Sequence, residues 1–476
     1  MKNGTIHTKK TKIVCTIGPV TESYDKLNEL VDAGMNVMRL NFSHGDFAEH
    51  QARVDNIRQV MKKTGRTIAV LQDLCGPKIR IGTFKDDVAI DLKPGQTFIL
   101  TTEKIEGDHE RVSVNYPMLH KEVKVGGMIL IQDGRKRLEV KSVKGKDIIC
   151  KVIVGGELKG KKGVNVPGAN LSLSALTEKD KKDLEFGIKN KVDFMALSFV
   201  RRPSDVEDLR TILRQKRSKA KIIAKIETPE ALAHIDEIIA AADGLMVARG
   251  DLAIEIPAEE VPMAQKSMIE KCKAAGKPVI TATQMLESMI KNPVPTRAEV
   301  SDVANAIIDG TDAIMLSEET TLGDFPVEAV KMMTKIAERV ERDVYTRDGI
   351  IEHAESHGVT DVVSQVAVRT VHAVGAKLIV VLTRSGSSAR MVARYRPAER
   401  ILALTDAADN ANKLALSFGC YPMVVPTFKT VNEIMNIVRA TATKAGMARK
   451  GDKVVIVAGM PFGASKETNM VLVETL

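Results

Sequence analysis

Short apolar runs alternate with amphipathic stretches through most of this chain of 476 residues. The runs are rich in Val, Ile and Leu, which is typical of strands buried on both faces. The stretches between them repeat apolar residues every three or four positions, as a helix with one buried face does. The predicted strands are 12–17, 36–40, 68–72, 194–199, 222–226, 244–248, 278–282 and 312–316, and the predicted helices are 23–33, 46–63, 177–190, 204–215, 259–274 and 325–342. Eight strands separated by helices predict a parallel (β/α)₈ barrel.

The alternation of strands and helices stops between residues 72 and 194. That stretch holds short alternating runs separated by turn signals such as Lys93-Pro94-Gly95. The predicted strands are 88–92, 97–101, 128–132, 137–143 and 147–154. We therefore expect an all-β insertion after the third barrel strand, where it can cover the strand ends as a lid and exclude water.

A third pattern begins after about residue 345. The predicted strands there are 378–383, 400–405, 421–425, 453–458 and 470–474, and the predicted helices are 359–374, 387–394, 407–417 and 430–446. This pattern predicts an open α/β sheet in a separate domain. The predicted domains are the barrel at 1–75 and 172–345, the β lid at 76–171 and the C-terminal α/β domain at 346–476.

Composition narrows the class of protein. Hydrophobic residues make up 44% of the chain, which is typical of a folded globular protein. The net charge is +9, but basic and acidic residues are interspersed. Aromatic residues make up only 3%, with no Trp, so surfaces on which bases could stack are scarce. We expect binding sites for anionic metabolites and no nucleic-acid partner.

Cysteine usage and hydropathy bear on location. The five Cys residues show no CxxC spacing, which favours reduced, packed thiols. No uninterrupted apolar run approaches the ~20 residues needed to span a bilayer, and the N-terminus leads into no apolar signal segment. We expect a cytoplasmic protein that does not enter a membrane.

Charged residues follow two consecutive barrel strands. Lys225 and Glu227 end one run, and Arg249 and Asp251 end the next. Two acids among two bases can hold a divalent cation beside a phosphate, and a lysine there would stabilise charge on transferring oxygens. The alternative is a set of structural salt bridges among the four side chains.

Neutral polar groups accompany this cluster. The backbone N–H of Gly250 can approach a ligand carboxylate closely, unless the glycine only serves a tight turn. Thr283 follows the next strand and can relay a proton through water, or it can cap a helix. Both interpretations stay open from the residues alone.

The second and third strands also end in polar residues. Arg39 and Arg80 can grip phosphate. Asn41, Ser43 and Asp73 offer oxygens suited to a monovalent cation. Each of these alone fits a solvated loop, but together, at successive strand ends, they favour a site.

The predicted C-terminal domain contains a loop that joins a strand to a helix start. This effector loop, residues 383–388, consists of Thr383, Arg384, Ser385, Gly386, Ser387 and Ser388. Its backbone N–H groups and hydroxyls can bind an anion, or they can form an ordinary Ser-rich helix cap. Because it lies outside the barrel, we interpret it as an effector site.

The longer motifs resemble the pyruvate kinase family over the whole chain from Lys12 onward. The matching segments are MRLNFSHG (38–45), GPKIR (76–80), IAKIE (223–227), MVARGDL (246–252), TATQMLESM (281–289), the pair NP (292–293) and PTRAE (295–299). The resemblance implies transfer of the phosphoryl group of phosphoenolpyruvate to ADP, which yields pyruvate and ATP in glycolysis. It also implies an allosteric homotetramer.

The resemblance assigns roles to individual residues. Lys225 would stabilise the transferring phosphoryl group, Arg39 would anchor phosphate, and Thr283 would lie near the protonation of the enolate. The remaining implied sites are Glu227 and Asp251 for Mg²⁺ or Mn²⁺; Gly250, Asp251 and Thr283 for substrate; Asn41, Ser43, Asp73 and the Leu74 carbonyl for a monovalent cation; and Asn41, His44, Arg80 and Lys162 for the nucleotide.

Three departures from the family pattern change the expectations. Lys78 stands where many members have Glu, which resembles members that do not require K⁺ because the ammonium replaces the ion's charge. Glu318 adds a carboxylate to the SEET segment (317–320), where the family has SGET. Ser387 replaces a basic residue found in some members, which favours a sugar monophosphate or AMP over fructose 1,6-bisphosphate as activator.

Two other classes of protein stay open. One is a different Mg²⁺ barrel enzyme that handles enolpyruvate, such as an aldolase or a phosphonomutase. The other is a catalytically inactive metabolite sensor or an RNA-binding protein. The β insertion and the C-terminal phosphate loop argue against the first, and intact Lys225, Glu227, Asp251 and Thr283 argue against the second.

Overall fold

The computed structural model describes residues 7–169, 171–345, 358–427, 430–461 and 467–476. Within them the chain begins with two β–α units and a third strand. Their bounds are β1 (Lys12–Thr16), α1 (Tyr24–Ala33), β2 (Val37–Asn41), α2 (Phe47–Thr64) and β3 (Ala69–Asp73). Helix α2 begins where Asp46 and Glu49 form a reciprocal capping box, and it ends at the left-handed Gly65.

The β insertion forms a lid with a hydrophobic core of its own. Its elements are β4 (Ile90–Leu92), β5 (Thr97–Thr101), β6 (Arg111–Ser113), α3 (Leu119–Glu122), β7 (Met128–Ile131), β8 (Lys136–Lys144), β9 (Asp147–Val154), β10 (Gly156–Leu158) and β11 (Val164–Asn165). Six strands pair in the order β11-β7-β8-β9-β5-β6, and β10 pairs with β4. The predicted strands are all present, whereas β6, β10 and β11 were too short for a pattern of alternation to predict them.

The rest of the barrel follows the lid. Its elements are α4 (Glu178–Lys189), β12 (Phe194–Leu197), α5 (Pro203–Gln215), β13 (Lys221–Ile226), α6 (Pro229–Ala233), α7 (Ile235–Ala241), β14 (Gly244–Ala248), α8 (Arg249–Glu255), α9 (Val261–Ala274), β15 (Val279–Ala282), α10 (Arg297–Asp309), β16 (Ala313–Leu316), α11 (Glu318–Thr321) and α12 (Pro326–Val344). Eight parallel strands close in the order β1-β16-β15-β14-β13-β12-β3-β2, which confirms the predicted (β/α)₈ barrel. The barrel strand ends predicted from the sequence lie within two residues of these bounds.

The C-terminal region is an α/β sheet. Its elements are α13 (Val359–Val374), β17 (Leu378–Leu382), α14 (Ser387–Ala393), β18 (Arg400–Thr405), α15 (Ala408–Leu414), β19 (Cys420–Val424), α16 (Val431–Lys444), β20 (Lys453–Ala458) and β21 (Met470–Thr475). The strand order is β19-β18-β17-β20-β21, and only the last pair is antiparallel. The open sheet is confirmed, although the predicted domain start at residue 346 lies outside the described residues. No helix in the described ranges has the length and apolar character needed to cross a bilayer.

The base of the barrel is joined to the C-terminal region through a buried carboxylate. Asp312 precedes β16 and accepts hydrogen bonds from the Phe418 amide (2.9 Å) and from Nη2 of Arg396 (2.9 Å). It also accepts from the amide of Val279 in the barrel (3.2 Å). Lys12 Nζ donates to the Cys420 carbonyl at 2.6 Å. This junction lies at the N-terminal ends of the strands, so the C-terminal ends stay open toward the lid.

Candidate active site

Lys225 is the centre of a buried charge cluster at the C-terminal end of the barrel. Its side chain is 12% exposed, and Nζ lies 2.9 Å from Oε1 of Glu227 and 3.4 Å from Oδ1 of Asp73. Nζ also donates to Ser198 Oγ at 2.7 Å. These residues end three neighbouring strands, β3, β12 and β13. The fold therefore brings Lys225 and Glu227 together as the sequence predicted.

The electrostatics of the cluster keep Lys225 charged. Burial alone would lower the pKa of Lys225, but the carboxylates of Asp73, Glu227 and Asp251 outweigh it and raise the pKa. Burial raises the pKa of Glu227, and the nearby Asp251 carboxylate adds to this effect while Lys225 opposes it. Asp251, one β–α unit further along the chain, is thus near enough to both groups to influence them.

Asp73 bridges two cations. Its Oδ2 accepts from Nε of Arg39 at 2.7 Å, while Oδ1 faces Lys225. Although burial opposes the effect, Lys225 and Arg39 lower the pKa of Asp73, which stays ionised. Arg39 also donates to Thr16 Oγ1 at 2.8 Å. The predicted cation ligand Asp73 therefore orients the two basic side chains in this structure.

Thr16 and Ser198 were missed by the sequence analysis. Each hydroxyl contacts a cationic side chain of the cluster, Thr16 with Arg39 and Ser198 with Lys225. Both residues lie at barrel strand ends, and this position is the signal that could have found them. A neutral hydroxyl at a strand end is common, so the position alone carries little weight without a neighbouring charge.

Both carboxylate oxygens of Glu227 have partners. Oε1 faces Lys225, and Oε2 accepts from the backbone N–H of Phe199 at 2.6 Å. Phe199 has a positive φ of 54°, which is unusual for an aromatic residue. The turn after β12 is therefore shaped around the Glu227 carboxylate, so the position of Glu227 depends on a neighbouring strand.

Gly250 and Thr283 contact each other directly. The Gly250 N–H donates to Thr283 Oγ1 at 2.8 Å, and that hydroxyl donates to the Ala282 carbonyl at 2.6 Å. Thr283 has a φ of 70°, a strained conformation for a β-branched residue. The Thr283 hydroxyl thus accepts from an N–H of the first turn of α8, a contact that fits the helix-cap alternative, and its role in proton relay stays a prediction. The Gly250 amide, predicted to face a ligand, donates to Thr283 here.

The partners of Arg249 differ from those that the salt-bridge alternative predicts. Arg249 begins helix α8, and its Nη1 donates to Oδ1 of Asp302 at 2.7 Å. Its Nη2 donates to the Thr283 carbonyl at 2.7 Å. Arg249 therefore supports the strained Thr283 turn, and it forms no salt bridge with Glu227 or Asp251. The difference arises because α8 begins at Arg249 and directs it toward α10.

A cleft of about 910 Å³ separates the lid from the barrel. Asp251 lines it on the barrel side, and Lys78, Arg80 and Lys162 line it on the lid side. Arg80 donates through Nη1 to the Lys161 carbonyl at 3.0 Å, which holds it beside Lys162. Basic side chains thus face an acidic side chain across a space large enough for a small-molecule ligand.

The donor set suits a divalent cation that keeps part of its water shell. In the described ranges, no group of three or more His, Cys, Asp or Glu side chains could hold a metal ion by itself. Glu227 and Asp251 provide two carboxylates, and Mg²⁺ is usually bound by one or two carboxylates with waters and substrate phosphates. These two carboxylates therefore suit a metal ion whose remaining coordination positions are filled by water and a phosphorylated ligand.

Two of the predicted monovalent-cation oxygens accept hydrogen bonds from the protein itself. The Asn41 side-chain oxygen accepts from the Ser43 amide at 3.1 Å, and the Leu74 carbonyl accepts from the Ser198 hydroxyl at 2.7 Å. His44 is exposed, and its carbonyl accepts from His50 Nε2 at 3.0 Å. Each of these oxygens thus has a protein partner here.

The SEET segment separates into an exposed and a buried carboxylate. Glu318 is exposed at the start of α11. Glu319 is buried and accepts from the backbone N–H groups of Ser317 (2.7 Å) and Leu286 (3.2 Å). Glu319 therefore joins the turns after β15 and β16, whereas Glu318 makes no contact with the charge cluster.

The effector loop (383–388) is held by its own hydroxyls. Thr383 Oγ1 accepts from the Gly386 amide at 3.0 Å, and Ser385 Oγ accepts from the Ser387 amide at 3.3 Å. Arg384 is 74% exposed and lies 3.9 Å from Asp406. The loop leads into α14, as predicted, and its role in binding an anion stays a prediction.

Basic groups over the cleft and acidic groups below it suit the handling of a phosphorylated ligand, and this arrangement favours the class of phosphotransferases. Comparison with known proteins gives the family. The barrel-domain model of pyruvate kinase matches residues 8–330, and the alpha/beta-domain model of pyruvate kinase matches residues 361–474. The chain belongs to the pyruvate kinase family.

Individual relatives agree with this assignment. The chain is 50% identical over 473 residues to a pyruvate kinase of Geobacillus stearothermophilus, covering 98% of this chain and 80% of that protein. It is 48% identical over 474 residues to a pyruvate kinase of Staphylococcus saprophyticus, covering 97% and 80%. The crystal structure of a pyruvate kinase from Cryptosporidium parvum superposes with a TM-score of 0.92 at 37% identity, covering 98% of this chain and 96% of that one. The aldolase or phosphonomutase alternative is therefore wrong.

Proposed function

We propose that this chain transfers the phosphoryl group of phosphoenolpyruvate to ADP and releases pyruvate and ATP. The observation that carries the proposal is the buried Lys225 ammonium, held charged between Asp73 and Glu227 beside the lid cleft. Phosphoryl transfer needs alignment and charge neutralisation more than covalent chemistry, and a buried cation provides both.

In the proposed mechanism several side chains share the neutralisation of the substrate's negative charge, and each is already held in position by a protein partner. Arg39 and Lys225 bind the oxygens of the transferring phosphoryl group, and Asp73 keeps both cations oriented. Glu227 and Asp251 hold Mg²⁺ or Mn²⁺, which supplies further positive charge to the phosphate oxygens when bound. Arg80 and Lys162, which line the cleft, bind the phosphates of ADP from the lid side. The family resemblance adds His44 and Asn41 as further nucleotide contacts.

Thr283 is proposed to serve the second half of the reaction. The enolate that remains after transfer must be stabilised and then protonated on carbon. The Thr283 hydroxyl is held by the Gly250 amide, so it can pass a proton through water to that carbon. The lid keeps other water from the phosphoryl group during transfer.

The test is a coupled assay of pyruvate formation from phosphoenolpyruvate and ADP, with and without Mg²⁺. We expect turnover that requires the divalent cation and that Lys225→Met lowers by about 10³-fold. Turnover without a divalent cation, or full activity of Lys225→Met, would contradict the proposal. The same assay without ADP measures phosphatase activity, which the lid is expected to suppress.

We also propose that activity does not require K⁺, because the ammonium of Lys78 replaces the ion's charge. Lys78 is exposed and lines the cleft. Activity should persist in Na⁺ or Tris buffers free of K⁺, and Lys78→Glu should create a K⁺ requirement. Loss of nearly all wild-type turnover on removal of K⁺ would refute this.

The effector loop (383–388) is proposed to bind the phosphate of a sugar monophosphate or AMP. Its hydroxyls and amides are clustered at the start of α14, and Arg384 is free to reach an anion from solvent. Titration of each activator at subsaturating phosphoenolpyruvate tests the idea, with Thr383→Val as the variant and Thr370→Val as the control elsewhere in the domain. We expect activation in wild type and in Thr370→Val but not in Thr383→Val; no activation by any phosphorylated metabolite would contradict the proposal.

The family resemblance further favours a homotetramer. The mass of one chain is 51.9 kDa, so light scattering should report four times this value. A monomer at working enzyme concentration would contradict the assembly and leave the catalytic proposal unaffected.

A further inference from the structure

One hydrogen bond crosses the cleft between the lid and the barrel. Asn165 Nδ2 donates to Oε1 of Glu255 at 2.7 Å. The other hydrogen bonds that join lid and barrel within the described ranges lie at the two chain connections. They are Gly76 with Asp180, the Leu171 carbonyl with Arg201, and Ser172 with Glu122 and Tyr116. The Asn165–Glu255 pair is therefore the one point, away from the connections, where the described lid is held to the barrel by a hydrogen bond.

The lid side of this pair belongs to a paired ribbon. The Ile81 amide donates to the Lys162 carbonyl at 2.9 Å, and the Val164 amide donates to the Ile79 carbonyl at 2.9 Å. Arg80 lies in the same ribbon and donates to the Lys161 carbonyl. Because Asn165 directly follows the ribbon, its attachment to the barrel sets how far Arg80 and Lys162 stand above the cleft.

The barrel side belongs to the helix that carries Asp251. Helix α8 begins at Arg249 and ends at Glu255, so Asp251 and Glu255 are four residues apart and share one face. Both line the cleft. Burial raises the pKa of Glu255, with the Asp251 carboxylate adding to the effect and the Asn165 amide opposing it. A hydrogen bond from a neutral donor stabilises a half-buried carboxylate that lies beside a second carboxylate, and the Asn165 amide is that donor for Glu255.

We propose that Asn165 and Glu255 form a latch that holds the lid over the cleft and so positions Arg80 and Lys162 on the phosphates of ADP. Both are positioning residues, since the latch acts on the nucleotide through the ribbon. The inference rests on the proposed assignment of Arg80 and Lys162 to the nucleotide. Phosphoenolpyruvate is bound from the barrel side, so the latch affects ADP more than phosphoenolpyruvate.

The kinetic test uses four variants. Asn165→Ala removes the donor and should raise KM for ADP about tenfold, with a change in kcat of less than about threefold. Asn165→Asp places two carboxylates in contact and should raise KM for ADP further than the alanine variant does. Glu255→Gln leaves two amides in contact and should have an intermediate effect. The double variant Asn165→Asp/Glu255→Gln restores one carboxylate and one amide, and it should return KM for ADP to within about threefold of wild type.

Glu259→Ala is the matched control, because Glu259 is an exposed carboxylate just beyond α8. It should leave KM for ADP unchanged. Absence of rescue in the double variant, or an unchanged KM for ADP in Asn165→Ala, would overturn the latch. A raised Mg²⁺ requirement in Glu255→Gln, with Asn165→Ala silent, would also overturn it, because Glu255 would then act on the metal.

Amide hydrogen exchange gives a readout that does not depend on turnover. Peptides covering β11 and α8 should exchange faster in Asn165→Ala than in wild type, with the other barrel strands unchanged. Equal exchange in the two proteins would overturn the latch. Lack of wild-type pyruvate formation would instead count against the proposed function, so the two failures are distinguishable.

Discussion

Lys225 and Arg384 both lie at the C-terminal end of a buried parallel strand, yet their surroundings are opposite. The Lys225 side chain is 12% exposed and contacts two carboxylates and a hydroxyl. The Arg384 side chain is 74% exposed, and its nearest acidic partner is 3.9 Å away. The barrel thus encloses its cation within the protein, whereas the C-terminal sheet leaves its cation in solvent.

This difference shows how a charged residue at the end of a predicted strand should be interpreted. A polar residue after an apolar run is the same signal in both regions, and in both it predicts a ligand site. At Lys225 the neighbouring strands supply counter-charges, so the chemistry of the site is defined by the protein. At Arg384 the loop hydroxyls accept from two of the loop's own amides, and the guanidinium stays in solvent with only the distant Asp406 as a counter-charge.

The largest expected effect is at Lys225. Lys225→Met should lower kcat by about 10³-fold, because the transferring phosphoryl group loses a desolvated cation. Steady-state turnover measures this, with Lys221→Met as the control. Lys221 lies on the same strand at the opposite end and pairs with Asp243 at 2.9 Å, so its loss should leave kcat nearly unchanged. Equal effects of the two substitutions would show that the position of Lys225 in the charge cluster is not what matters.

A smaller effect is expected at Glu227. Glu227→Gln should raise the Mg²⁺ concentration for half-maximal activity on the order of 100-fold, because a neutral amide is a poor ligand for Mg²⁺. Titration of activity with Mg²⁺ measures the change. Glu237→Gln, at an exposed position on α7, is the matched control. An unchanged Mg²⁺ dependence in Glu227→Gln would remove Glu227 from the metal site.

The effect of the exposed cation should be smaller still. Arg384→Ala should change kcat without an activator by less than about twofold, because an exposed charge with a distant partner contributes little. The same variant should lose activation by a phosphorylated metabolite. A strong loss of basal activity would break the contrast between the two regions, since it would place Arg384 in the catalytic machinery.

The smallest effect concerns the junction between the two regions. Burial lowers the pKa of Lys12 from 10.5 to about 8. Between these values the unfolded chain binds more protons than the folded one, so the free energy of unfolding rises with pH. Lys12→Met should flatten this rise by on the order of 1 kcal/mol between pH 8 and 9. Denaturant unfolding measures it, and Lys331→Met, at an exposed lysine, should keep the wild-type slope.

Sequence patterns predicted the fold more fully than the site. The barrel strands are buried on both faces, so their apolar runs are easily recognised, and the predicted strand ends agree with the observed ones to within two residues. Strands β10 and β11 of the lid are three and two residues long, which is too short for alternation to show. The antiparallel direction of β21 also depends on pairing with β20, which no local pattern encodes.

At the site, the sequence predicted which strand ends carry charge but not where each side chain points. Lys225 and Glu227 meet as expected, because adjacent strand ends of a barrel converge. The partner of Arg249 is Asp302, 53 residues away, because α8 directs the guanidinium outward from the cluster. The bridge of Asp73 between Arg39 and Lys225 depends on side-chain direction across three strands, and the spacing of residues does not contain that information.

The Asp312 junction makes the attachment of the C-terminal region to the barrel different from the attachment of the lid. The buried Asp312 carboxylate accepts two hydrogen bonds from the C-terminal region and one from the barrel. Separating the two regions would therefore leave several buried polar groups without hydrogen-bond partners. Any coupling between the proposed effector loop and the charge cluster of Lys225 would therefore have to pass through this buried contact, and we expect substitutions at Asp312 to weaken it.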